Sequence, residues 1–352
     1  MANKMQECFE LNMDRLIREK KDFALWGAGV GGSIAKRKIF EYGEGGVKPS
    51  FVIDNNPALW NREDVLSPGD FFDDYKDKID TVFVCVYLAD EVIEQLNQNG
   101  YKGRIVPLIP AAMEGERYLE IYSGHEEEIE GLLSILGDDL SRATVETFFK
   151  VAKTGDTGFW QRVNGRSEHK LMEPAILQLT DNESFVDVGA FTGDTTKNFI
   201  REARGRYKAI VGLEPDELNF EILRKYYGRL ENAYAIDVAA TNKNGCSSFW
   251  GNLSESCAIM KDAPQRVKTK RLDDIGVAEN ASFIKVSANG GELLALQGAD
   301  RLIYRNKPKL SYYCGGEQLF LIPLFLSKFD LGYKFYIRHY GLGLQGMIGY
   351  AV

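Results

Sequence analysis

Two glycine clusters, each behind an apolar run and ahead of an acid at the end of the next one, are the segments best suited to chemistry. The first, Gly27-Ala-Gly29-Val-Gly31-Gly32, follows Phe23-Ala-Leu-Trp26 and satisfies G-x-G-x-x-G; Asp54 ends the next apolar run, about 20 residues further on. Glycines there would let backbone amides and a helix N-terminus approach a pyrophosphate, and Asp54 would accept from ribose hydroxyls. This defines a possible nucleotide site at Gly27, Gly29, Gly32 and Asp54, for NAD or a nucleotide sugar; a tight turn kept only for packing is the alternative. The second cluster is Asp187-Val-Gly189-Ala-Phe-Thr-Gly193-Asp-Thr195, followed by Leu213-Glu-Pro215. An acid now stands in front of the glycines. Asp187 would repel a pyrophosphate and favour a ligand carrying an ammonium and a sulfonium, with Glu214 taking the ribose hydroxyls. S-adenosylmethionine is such a ligand. Gly189 and Gly193 permit close approach, the helix from about Thr195 offers its N-terminus to the methionine carboxylate, and Asp237 ends a third strand where an adenine contact is expected. The alternative is an α/β turn without a ligand.

These residues need strand ends and helix starts to position them, and the pattern supplies both. Phe9 to Lys20 has helical spacing. Strands are expected at Phe23–Trp26, Phe51–Asp54, Thr81–Val86 and Arg104–Leu108, with helices from Ser33 and over Ala89–Gln98. After Pro110 come an acidic stretch and helical patterns at Leu132–Leu140 and Ala143–Lys153. A second series has strands at Phe185–Val188, Ala209–Leu213, Ala233–Asp237, Phe283–Ser287 and Leu310–Cys314. Helices are expected at Thr195–Arg204, Glu217–Tyr227, Gly291–Arg305 and Glu317–Phe329. Alternation of this kind predicts α/β architecture with two Rossmann-like parallel-sheet domains. Tyr333–His339 and Gly346–Val352 read as a closing antiparallel pair. The expected division is a Rossmann-like domain at 1–115, a helical connector at 116–180 and a second α/β domain at 181–352.

Composition narrows the function. With 44% hydrophobic and 27% charged residues the chain is an ordinary globular one. A net charge of −8 opposes binding to nucleic acid or an anionic membrane. Five cysteines without a C-x-x-C pair and three histidines without ligand spacing give neither a disulfide framework nor a metal site. No secretory leader or spanning segment is read at the N-terminus or elsewhere, so a soluble cytoplasmic protein is expected. Neither G-x-S-x-G nor a P-loop is present.

The chain resembles the FkbM-type methyltransferases over about residues 138–352. The resemblance rests on Phe185-Val-Asp-Val-Gly-Ala-Phe-Thr-Gly-Asp-Thr195, Leu213-Glu-Pro-Asp216, Val267-Lys-Thr-Lys-Arg-Leu-Asp-Asp274, Phe283-Ile-Lys285 with Gly290-Gly-Glu292, Lys307-Pro-Lys-Leu310 and Ile322-Pro-Leu324. It implies S-adenosylmethionine as cofactor, a class I methyltransferase fold for 181–352, and O-methylation of a sugar or related hydroxyl. Trp26 to Leu108, with Ile53-Asp-Asn-Asn-Pro57, is similar to a Rossmann-like domain that some members carry upstream. Where the family usually reads Lys-x-Asp-x-Glu-Gly-x-Glu, this chain has Lys285-Val-Ser287-Ala-Asn289-Gly-Gly-Glu292. A histidine common after the tyrosine is replaced in Tyr313-Cys314.

Lys285, Ser287, Asn289 and Glu292 are therefore the catalytic candidates, and neither Ser287 nor Asn289 can act as a base at neutral pH. Glu292 could instead serve the following helix and Lys285 could pair with it. Two functions stay open: an O-methyltransferase acting on a saccharide or small-molecule acceptor, and a binding protein that keeps the methyltransferase fold without the chemistry. A nucleotide function of the first domain is a third.

Overall fold

The computed structural model describes residues 4–86, 89–108, 115–154, 157–251, 258–259, 263–341 and 343–352. The chain divides into two compact units. One holds Met1–Ser123, Glu146–Asn164 and Gly341–Gly346; the other holds Gly124–Val145, Gly165–Tyr340 and Met347–Val352. The segment 116–180 is thus shared between them. Among the described residues no helix is long and apolar enough to cross a membrane.

The first unit is built on a five-stranded parallel sheet. Its strands are β1 (Phe23–Trp26), β2 (Phe51–Ile53), β3 (Val65–Leu66), β4 (Thr81–Val84) and β5 (Arg104–Pro107), in the order β3-β2-β1-β4-β5. Continuous apolar runs such as Phe23-Ala-Leu-Trp are what a sheet covered on both faces requires, and all four of those residues are buried. Helix α1 (Lys4–Glu19) sets Met13 and Leu16 against Phe23, Leu25 and Phe83. Helix α2 (Val30–Tyr42) follows β1, and α3 (Ala89–Gln98) follows β4. The chain steps outward from β1 to β2 and β3, then returns to the other side of β1. In open α/β sheets a reversal of this kind, here between β1 and β4, is where ligands bind, beyond the carboxyl ends of the strands. The two-residue strand β3 is too short to leave a periodic signal in the sequence.

The second unit holds a seven-stranded sheet of β6 (Ser184–Val188), β7 (Ala209–Leu213), β8 (Ala233–Ile236), β13 (Phe283–Val286), β14 (Lys309–Tyr313), β15 (Phe335–His339) and β16 (Met347–Ala351). The order β15-β16-β14-β13-β6-β7-β8 puts the reversal between β6 and β13. All neighbours are parallel except at β16, which runs antiparallel between β14 and β15. The expected closing antiparallel pair is present, with β15 at the sheet edge. Phe185, Phe199 and Phe283 stack on one face, with ring centroids 4.3 and 4.9 Å from Phe185.

Three features differ from the sequence pattern. Leu132–Leu140 is not one helix: α4 (Glu126–Ile135) ends and α5 (Asp139–Thr154) restarts, because the Asp138 carboxylate accepts from Ser141 N and Oγ at 2.8 and 2.6 Å. Gly291–Arg305 is likewise two helices, Glu292–Gln297 and Asp300–Asn306. Asp273 accepts from Leu302 N at 2.9 Å in the new first turn and donates its own N–H to Gly298 O at 3.0 Å. Between β8 and β13 the chain forms a further sheet of β9 (Ala239–Ala240), β10 (Gly245–Trp250), β11 (Ala258–Ile259) and β12 (Gln265–Lys270), ordered β11-β10-β12-β9. Its polar, irregular sequence gave no strand expectation. Cys257 and Pro110 lie outside the described residues.

Candidate functional site

Alternation along two neighbouring strands fixes the centre of the second unit. Phe185 pairs with Phe283 and Asp187 with Lys285, so the apolar pair and the charged pair share one face. Lys285 Nζ donates to Asp187 Oδ1 at 2.8 Å, to Gly189 O at 2.7 Å and to Val188 O at 3.3 Å. Thr196, in the helix Asp194–Glu202, donates to Asp187 Oδ2 at 3.0 Å and shares a 2.7 Å hydrogen bond with Tyr227. Both charged residues are essentially inaccessible, at 0% and 1% exposed. Burial pushes the Asp187 carboxyl up, opposed by the Lys285 ammonium and the Thr196 hydroxyl. The expected direct contact between Asp187 and a cationic ligand is therefore corrected: its carboxylate lies beneath the glycine turn and neutralises Lys285. Lys285 pairs with Asp187, not with Glu292.

The turn above this pair is conformationally demanding. Gly189, Phe191 and Gly193 have φ of +70°, +50° and +90°. A Cβ on Gly189 would overlap the Ser287 carbonyl oxygen, and one on Gly193 would come within 2.6 Å of Tyr226. These glycines serve the fold first. Glu214, just past β7, folds back onto the turn: Phe191 N and Asp216 N donate to Oε2 and Oε1 at 2.8 and 3.0 Å. Burial pushes this carboxyl up, opposed by those two amides. Asp216 caps the helix Glu217–Tyr227 by accepting from Asn219 N at 3.1 Å. Thr195 is buried in the first turn of its helix, whereas Asp194 beside it is exposed. Asp237 stands one strand further out, exposed, with Lys268 Nζ at 3.7 Å.

The loop after β13 completes the arrangement. Ser287 is half-buried and Asn289 exposed, with φ +45°. Glu292 is turned inward: it accepts from Ala288 N at 2.8 Å, Gly290 N at 3.0 Å and Gln318 Nε2 at 2.7 Å. Burial pushes its carboxyl up as well. Of the four catalytic candidates, Lys285 and Glu292 thus shape the loops, and Ser287 and Asn289 alone stand at the surface. Cys314, which stands where the family commonly has a histidine, is fully buried, and burial pushes its thiol up.

In the first unit, Gly27, Gly29, Gly32 and Asp54 are also brought together. Gly27 N donates to Ile53 O at 2.7 Å, and Asp54 accepts from Ala28 N and Asn56 N at 2.6 and 2.8 Å.

Sequence reasoning missed Thr196, Tyr227, Gln318 and Phe191. The matching Phe-x-Asp and Phe-x-Lys patterns of β6 and β13 were a readable signal for the ion pair. The polar residues on the facing helices had none, because their partners lie far away in sequence.

S-adenosylmethionine, the cofactor the sequence implies, fits the adenosine end of this site. An ionised carboxylate has about four acceptor positions. Each Glu214 oxygen takes one amide and keeps capacity for a ribose hydroxyl. Among the described residues no group of three or more His, Cys, Asp or Glu is placed to hold a metal.

The sequence profile of the methyltransferase FkbM domain matches residues 187–335. A solved structure of methyltransferase FkbM from Methylobacillus flagellatus KT is similar in fold, with TM-score 0.64 at 16% identity, covering 99% of this chain and 99% of that one. An rRNA methylase from Streptococcus thermophilus matches at TM-score 0.34 and 13% identity, over 53% of this chain and 92% of that one. Aeropyrum pernix fibrillarin, in complex with natively bound S-adenosyl-L-methionine, matches at TM-score 0.35 and 14% identity, over 52% and 72%. No curated protein matches the sequence.

Proposed function

We propose, on the match of residues 187–335 to the methyltransferase FkbM domain, that this chain transfers a methyl group from S-adenosylmethionine to a hydroxyl of a saccharide or glycosylated small molecule. The observation that carries the reading is Glu214, a nearly buried carboxylate at the end of β7, held by two amides in a pose that leaves acceptor capacity for a ribose diol. Bound there, the cofactor supplies an electrophilic methyl group on a sulfonium. The residues of this chain then bind and orient. Glu214 holds the ribose, the turn 189–193 lies against it, and Asp194 at the helix start takes the role of meeting the ammonium that Asp187 cannot reach. Asp237 remains the candidate at the adenine edge. Ser287 and Asn289 face the acceptor as neutral hydrogen-bonding groups.

No resident base is assigned in this loop, since Lys285 and Glu292 are both held in internal hydrogen bonds. A positioned base contributes something like 10² to 10⁴-fold. In-line positioning lowers the barrier without one, so slow transfer, or transfer to an acceptor that is already nucleophilic, is the expected behaviour. The same observation favours a second reading, a protein that binds the cofactor without turnover. The test is a calorimetric titration with S-adenosylhomocysteine, then labelled methyl transfer over a panel of saccharides by the unmodified protein and by Ser287→Asp/Asn289→Glu. Binding is expected in both. Failure of the unmodified protein to bind removes the cofactor reading, and turnover gained only in the double variant selects the binding-protein reading.

A further inference from the structure

The glycine turn of the first unit is not used by the proposed methyl transfer, and the fold does not require all of its glycines. Gly27 has φ +122°, and a Cβ there would meet Val86 Cγ1 at 2.7 Å; a Cβ on Gly32 would overlap the Gly27 carbonyl. Gly29 differs on both counts. Its φ of −83° suits any residue, and apart from its immediate chain neighbours and the adjoining helix backbone no atom of the described residues lies within 4 Å of where its Cβ would stand. It is also the N-cap of α2 and provides no side-chain cap, at a position where Ser, Asn or Asp would serve the helix better. A place where a side chain would fit and would help the helix is left bare.

Around that bare position stand the groups that recognise one kind of ligand. The first-turn amides of α2 have no partner within the helix and carry its positive dipole end. Arg62 donates a guanidinium N–H to Ala28 O at 3.2 Å, which holds a cation against the same turn. Asp54, tied to Ala28 N and Asn56 N, keeps acceptor capacity on both oxygens. Trp60 is anchored to Asp54 O at 2.8 Å and is 41% exposed, an open aromatic face beside that acid. The turn sits at the strand-order reversal between β1 and β4.

We propose that the first unit binds a ribonucleoside diphosphate, free or as part of a larger nucleotide, with its diphosphate over Gly29 and Arg62 and its ribose diol on Asp54. All the residues that form it belong to the first unit. The empty space at Gly29 admits phosphate oxygens to the amides, Arg62 offsets their charge, and Asp54 selects ribose over a sugar lacking the diol.

The test uses the full chain with saturating S-adenosylhomocysteine, so that the adenosine site of the second unit is filled. ADP, UDP and NAD are titrated separately by calorimetry; at least one binds, and the preferred one tells a nucleotide sugar from a dinucleotide. Gly29→Asp is the decisive variant. It improves the helix cap, so the melting temperature holds or rises, while its charge opposes the diphosphate and lowers affinity about tenfold or more. Asp54→Asn weakens binding, and a 2′,3′-dideoxy analogue is insensitive to that change. Absence of binding by all three nucleotides, or unchanged affinity in Gly29→Asp, overturns the proposal.

Discussion

The two glycine turns share a plan and differ in which parts the fold itself uses. Each follows a buried strand and folds onto an acid of the next: Ala28 N donates to Asp54 as Phe191 N donates to Glu214. Each acid also takes the amide two residues further on, from Asn56 and Asp216. Beneath the turns the plans diverge. In the first unit Trp26 packs edge-on and tilted against Phe71 and Phe72, with ring centroids 5.7 Å away in both cases. In the second, Asp187 and Lys285 form a buried ion pair whose ammonium also holds the Gly189 carbonyl. Packing or backbone conformation accounts for Gly189 and Gly193, but for Gly29 neither does. A glycine pattern becomes informative about a ligand only after the glycines that the fold requires have been set aside.

The comparison can be broken most forcefully at the ion pair. Lys285→Met leaves the Asp187 carboxylate without its cation in a site closed to water, and the expected loss is about 3–5 kcal/mol in urea unfolding. Trp26→Phe, which keeps an apolar plug, should cost roughly 1–2 kcal/mol. Equal losses would mean that the charged and aromatic supports are interchangeable.

Next in size is the glycine contrast. Gly189→Ala meets a left-handed backbone and the Ser287 carbonyl together, for an expected loss of about 2–3 kcal/mol. Gly29→Ala should stay within about 0.5 kcal/mol of the unmodified protein. A large effect at Gly29 would show that the fold needs that glycine after all.

The smallest expected effect sharpens the role of Glu214. Glu214→Gln should weaken S-adenosylhomocysteine binding about tenfold to a hundredfold, as loss of hydrogen bonds to a charged group does. Burial holds the Glu214 carboxyl above the ordinary range, so affinity should fall on acidification at a higher pH than for an exposed glutamate. Stability moves the opposite way. The folded state binds this proton more tightly than the unfolded state does. Between the unfolded and the raised folded pKa, the native protein therefore gains stability relative to Glu214→Gln as pH falls. Calorimetric binding and melting curves across that range check both signs.

Much of this arrangement was legible in the sequence, for reasons that are local. Strand ends, glycine turns and following acids were readable because apolar runs and glycines act over a few residues. The alternation Phe185-x-Asp187 and Phe283-x-Lys285 even held the register of the ion pair. The helix break at Asp138 and the split at Gly298 were not readable, because each depends on a cap or on a carbonyl contact that the periodicity of the flanking residues conceals. The sheet from Ala239 to Lys270 escaped notice for a related reason, since its strands are polar and are defined by their pairing.

Composition, periodicity and turn chemistry by themselves determined two α/β sheets and the strand ends at which ligands could meet them. Tertiary structure alone decided which way the charged groups point. Asp187, Lys285 and Glu292 looked like site residues in sequence, yet each is buried with partners on another strand, turn or helix. Burying a charge is costly without such partners. The folded chain therefore turned these groups inward to one another, tied Glu214 to the amides of the turn above it, and left Ser287 half-buried and Asn289 exposed beyond the strand end.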